Sequence, residues 1–166
     1  MNGLRIDVMS RMRGASPFAA LWRRRVEVPI PGIGGVPVIA LEDLVRIKKT
    51  QRDKDWLMLR RLVEADITSQ RWRAKASRVR FWLMESRTPA MLMELAERFP
   101  AIARKAAARR PAVRAAIRGS RPAVERALEK EERTERAKDR RYWAPLRREL
   151  ERWRLGRQAR GVPPQA

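Results

Sequence analysis

VPVIALEDLVRIKKTQRDKDWLMLRRLVE, residues 36–64, contains the change of period that decides how this chain is organised. Val36 to Ala40 form a short apolar run that reads as a buried strand. From Leu41 the spacing lengthens, and Leu41, Leu44, Val45 and Ile47 make one helical stripe. Glu42 and Asp43 fall in the first turn, where the helix dipole favours carboxylates. Charged residues interrupt the pattern from Lys48 to Asp55. Trp56, Leu59, Leu62 and Val63 then resume the stripe.

Upstream, Leu4, Ile6 and Val8 alternate with Arg5 and Asp7, the period of a half-buried strand over residues 4–9. Residues 15–25 predict a short helix, with Ser16 as N-cap, Pro17 at the first helical position and Phe18, Leu21 and Trp22 as its apolar side. The segment VEVPIPGIGG gives a further strand and a Pro/Gly turn, so GIGG reads as a hairpin turn rather than a phosphate loop. The order up to Ile67 is strand, helix, two strands, helix.

Beyond Ile67 the pattern is helical throughout. Prolines fall at 89, 100, 111 and 122, each followed by alanine. A proline inside a helix costs about 3 kcal/mol, so each is expected to open a new helix. Thr88 is a candidate cap, and Gly119 and Ser120 mark a break. Residues 123–141 read as a longer charged helix. The segment YWAPLRRELERWR follows, with Trp143, Leu146, Leu150 and Trp153 on one docking face. The expected organisation is an α+β unit over 1–67, an all-α region over 68–155 and an unstructured tail over 156–166.

Composition narrows the chemistry. The 166 residues include no cysteine and no histidine, which removes thiolate sites, the usual zinc ligands and the commonest neutral-pH base. Any metal would be a hard ion on carboxylates, magnesium first. No run of about 18 apolar residues is present, and the N-terminus lacks a secretory pattern, so a cytoplasmic protein with no membrane partner is expected. The net charge is +21, with 33 arginines against 7 lysines. Residues 1–67 hold 13 basic and 8 acidic side chains, residues 68–166 hold 27 and 11. Such an excess favours anionic partners, nucleic acid above all, although a charged exterior on a helical region is the more economical account.

The strand LRIDVM, the segment GASPFAALWRRRVEV, the strand VPVIA and ALEDLVRIKKTQRDKDWLMLRRLVE, in that order, resemble the C-terminal part of the nucleotidyltransferase fold. The match is to the minimal nucleotidyltransferase-like proteins, some of which occur in toxin–antitoxin pairs. The resemblance covers about 65 residues, and implies a partial nucleotidyltransferase-like sheet with helices ahead of the all-α region. It implies that Asp7 is the third metal-binding carboxylate, a ligand for Mg2+ or a base. It also implies that Lys48, Lys49 and Arg52 hold the phosphates of a nucleoside triphosphate (NTP). With helical geometry Lys48 and Arg52 share a face, while Lys49 projects about 100° away. Asp55 reads as an orienting partner for Arg52. The family's Gly-Ser turn and paired carboxylates do not occur before Asp7, and their loss removes most of the metal site. The expected protein is therefore nucleotidyltransferase-like but inactive as this chain.

Two other readings stand beside it. One is a non-catalytic or antitoxin-like module that binds a protein partner or another copy of itself through an open sheet edge. The other is a basic helical RNA-associated protein. The tryptophans at 56, 72, 82, 143 and 153 recur at helical spacing with Leu and Met, and read as packing residues rather than base-stacking ones.

Overall fold

The computed structural model describes residues 11–70 and 73–159; the strand expected over 4–9, Asp7 and Trp72 lie outside them. The described elements are α1 (Phe18–Arg24), β1 (Val26–Ile30), β2 (Gly34–Val38), α2 (Leu41–Ile47), α3 (Asp53–Gln70) and α4 (Ala76–Glu85), then α5 (Pro89–Arg98), α6 (Pro100–Ala107), α7 (Pro111–Ile117) and α8 (Arg121–Ala159). Helices and a two-stranded antiparallel sheet thus coexist, an α+β arrangement in which helix dominates.

β1 and β2 pair with Val26 opposite Val38, Val28 opposite Val36 and Ile30 opposite Gly34. Strand alternation then collects Val26, Val28, Ile30, Val36 and Val38 on one face and Glu27, Pro29, Gly35 and Pro37 on the other. Gly32 and Gly34 adopt φ of +77° and +98°, conformations that cost a residue with a Cβ. The Ile33 N–H donates to Ile30 O at 3.0 Å to close the turn. GIGG is therefore turn chemistry, as its composition predicts. The expectation of a buried VPVIA strand needs correcting. No residue of either strand is buried, and burial begins only at Ala40. The hairpin face has no helix or third strand laid over it among the described residues.

Pro17 rather than Ser16 occupies the N-cap of α1. The Ser16 hydroxyl instead accepts hydrogen bonds from Arg24 and Arg46. Pro89, Pro100 and Pro111 each stand first in their helix, where the missing N–H is not needed. Pro122 is the second residue of α8. Thr88 sits at the N-cap of α5, yet its hydroxyl donates to Glu64 rather than capping. After α7 the Gly119 N–H bonds Ala116 O and the Ser120 N–H bonds Ala115 O, with Gly119 at φ +69°. That pair is a Schellman closure, for which glycine is the favoured residue.

One core runs through the helices. Val45 of α2, Trp56, Leu59, Val63 and Ile67 of α3, and Val79, Trp82 and Leu83 of α4 join Leu92, Leu95, Ala103, Ala112, Val113, Val124 and Leu128. α3 passes without a break through Ile67 to Gln70, so the expected boundary at 67 falls inside a helix. Buried alanines at 96, 103, 106, 112 and 116 let α5, α6 and α7 pack closely. Arg110, 3% exposed, ties this core together. Its guanidinium donates to Leu83 O and Ser86 O, both at 2.8 Å, and to the Glu131 carboxylate. The end of α4 is thereby fixed to α8. The charged helix and the YWAP segment form one helix, α8, with Pro145 inside it and its end at Ala159 rather than at the expected boundary of 155.

Candidate functional site

The charged break between α2 and α3 becomes a clamped loop. α2 stops at Ile47, and Lys48 closes it by donating its N–H to Leu44 O. The Thr50 N–H then bonds Lys48 O at 2.8 Å, and the Thr50 hydroxyl accepts the Arg52 N–H at 3.2 Å. This local hydroxyl-to-backbone closure competes with helix. Lys48 and Arg52 are therefore not on a common helix face, as helical spacing implied. They meet because both bind Asp55, Lys48 Nζ at 3.7 Å and Arg52 Nε at 3.0 Å. The Thr50 hydroxyl donates to the same carboxylate at 2.5 Å. Burial raises the Asp55 pKa, but Thr50, Lys48 and Arg52 together hold it below the usual carboxylate value. Asp55 does orient Arg52, and it orients Lys48 as well.

α8 holds the loop from the other side. The Gln51 N–H donates to Asp139 Oδ2 at 3.0 Å, and Gln51 O accepts Arg136 Nη1 at 3.0 Å. Arg147 Nη2 donates to Gln51 Oε1 at 3.3 Å. Asp139, almost fully buried, takes Arg13 Nε on its other oxygen at 3.2 Å. Arg13 also pairs with Glu135 at 3.0 Å and donates to Lys49 O. Desolvation raises the Glu135 pKa, and hydrogen bonds from Lys138 and Arg13 outweigh it, leaving that carboxyl low.

Between the loop and α8 lies a cleft of about 380 Å³, lined by Lys48, Arg52, Arg13, Arg147 and Trp143 among others. Its size is within the range of small-molecule sites, about 300–1,000 Å³. The lining cations are not equivalent. Arg13, Lys48 and Arg52 already face carboxylates, whereas among the described residues Arg147 bonds only the neutral oxygens Gln51 Oε1 and Arg140 O. Trp143 is half-buried at the rim and meets Tyr142 edge-on, with ring centroids 4.9 Å apart.

Lys49 turns away from this cleft and pairs with Glu85 at 2.8 Å, lining a different depression over α4 and α8. Trp56 and Trp82 are core residues, as their spacing suggested, whereas Leu146, Leu150 and Trp153 of the expected docking face are exposed. Trp56 Nε1 donates to Thr50 O at 2.7 Å, and Trp82 Nε1 to Asp66 at 2.6 Å. Asp7 lies outside the described residues. Among the described residues no group of three or more carboxylates comes together as a metal site, and no helix is long and apolar enough to cross a membrane. Arg13, Asp139 and Arg147 escaped the sequence reading because they reach the loop only through tertiary packing. The one local hint was the apolar and aromatic spacing around Trp143.

No family model matches the chain, and neither the curated proteins nor the solved structures contain a match.

Proposed function

We propose that the chain is a nucleotidyltransferase-like protein whose cleft between the 48–52 loop and α8 binds the triphosphate of a nucleoside triphosphate. The convergence of Lys48 and Arg52 with Arg147 on one pocket, beside the Trp143 ring, carries this reading. Arg147 supplies the charge that no described carboxylate offsets, and its planar fork suits a phosphate oxygen pair. Lys48 and Arg52 are pre-positioned by Asp55 and need little reorganisation to add their charge. Trp143 offers a flat surface for a base.

In this reading the chain binds nucleotide. Transfer of a nucleotidyl group to a hydroxyl would draw on two Mg2+ ions. Asp7 would be one ligand, and among the described residues no carboxylate group completes the metal site. Titration calorimetry with Mg·ATP tests the binding step. The expected result is saturable one-to-one binding that weakens at least tenfold in Lys48→Ala/Arg147→Ala. Absence of binding, or equal affinity in the double variant, removes the proposal.

A second reading, a non-catalytic module that docks on another protein chain, is favoured by the uncovered Val26, Val28, Ile30 and Val38 face of the hairpin. The prolines at 29 and 37 offer no N–H to an added strand, so the face, not the edge, is the docking element in that reading.

A further inference from the structure

A second cationic surface lies away from the nucleotide cleft. One depression is lined by Arg80 of α4 and by Lys105 and Arg109 at α6 and just beyond it, with no carboxylate among its lining residues. A neighbouring one, over α4 and α8, shares Met84 and Arg109 with the first, so the two join into a single groove. Their volumes are about 430 and 410 Å³. The second depression contains carboxylates, but each is neutralised by its own partner. Glu85 meets Lys49 and Arg87, Glu131 meets Arg87 and Arg110, and Glu135 meets Arg13 and Lys138.

Arg80, Lys105, Arg109 and Lys130 remain. All four are exposed, and none has a carboxylate partner among the described residues. Exposed cations without a carboxylate partner occur on other surfaces too; what marks these four is that they line two depressions sharing Met84 and Arg109. The floor is the half-buried Met84. The large exposed apolar side chains lie elsewhere, chiefly on α1, the hairpin and the distal part of α8. A membrane surface would need such side chains in the groove itself. A groove open at its sides and floored by a small apolar strip suits a linear polyanion better than a single compact anion.

We infer that the α4–α6–α8 groove binds the phosphodiester backbone of a nucleic acid through Arg80, Lys105, Arg109 and Lys130. No aromatic side chain lines it, so binding follows charge and backbone spacing rather than base identity. This inference is independent of the nucleotide cleft.

The test is fluorescence anisotropy of a short fluorescein-labelled DNA duplex between about 50 and 200 mM KCl, where phosphate contacts change affinity most. It compares the wild-type chain with Arg80→Ala/Lys105→Ala/Arg109→Ala. The control, Arg61→Ala/Arg114→Ala/Arg118→Ala, removes the same charge from exposed positions on α3, on α7 and just beyond α7. Circular dichroism establishes that both variants are folded. The groove variant should lose at least tenfold in affinity at the lower salt. The slope of log K against log salt should become shallower by about 0.9 for each lost phosphate contact. The control should change little, and Mg·ATP affinity should be the same in all three proteins. Equal loss in the two variants overturns the groove, as does no loss in the first. So does binding to phosphatidylserine vesicles that exceeds duplex binding at equal phosphate concentration.

Discussion

Arg110 is a side chain whose removal the fold should tolerate poorly. A guanidinium is the one group able to serve Leu83 O, Ser86 O and both oxygens of Glu131 at once. Burial pushes its pKa down, and the Glu131 carboxylate opposes that shift. Arg110→Leu leaves two carbonyls without a donor, and should cost about 3–5 kcal/mol in urea unfolding. Arg110→Leu/Glu131→Leu should recover little of the loss, because in the single variant the part-exposed Glu131 still keeps Arg87 as its partner. Asp43 supplies the acid-side behaviour. The Arg24 guanidinium, 2.8 Å from both carboxylate oxygens, holds the Asp43 pKa below its ordinary value against the opposing effect of burial. A depressed folded-state pKa means that the unfolded chain binds the proton first. The stabilisation is present above the unfolded value of about 3.9 and disappears as pH falls through the folded value. Urea midpoints of Asp43→Asn should accordingly change less with pH below about 4 than those of the wild-type chain. A residual slope should remain from Asp55 and Glu135, whose pKa values are also low.

Among the elements, the hairpin and the proline-led helices show what local chemistry can announce. Pro89, Pro100 and Pro111 start helices because a ring-locked φ and a missing N–H act within a single residue. Gly32 and Gly34 likewise specify their turn on their own. Exposure of the strands was not legible, because it depends on what packs against them. The pattern of Val26, Val28, Val36 and Val38 is that of a half-buried sheet, and a two-stranded hairpin by itself is marginally stable in water. Replacing Val26, Val28 and Val38 together by threonine should leave the urea midpoint nearly unchanged, since none of the three belongs to the core. The same change should lower the fluorescence of bound anilinonaphthalene sulfonate, the dye reporting uncovered apolar surface. A large fall in the midpoint would mean that this face is covered in solution.

At the level of the molecule, half of the candidate site could be read in advance. Lys48, Arg52 and Asp55 are neighbours in sequence, and their mutual pairing follows from short spacing. Arg13 and Asp139 are 126 positions apart, and no periodicity connects them. Even within the loop, a threonine hydroxyl overrode the helical geometry that sequence spacing implied. Among the described side chains of α8 burial ends with Asp139, yet the helix has 39 residues, a length of about 58 Å at the standard rise. A compact chain of this size has a radius of gyration of about 15 Å. A rod of that length makes the particle anisometric: small-angle scattering should return a longer radius, and gel filtration an elution volume ahead of globular standards of 19.4 kDa.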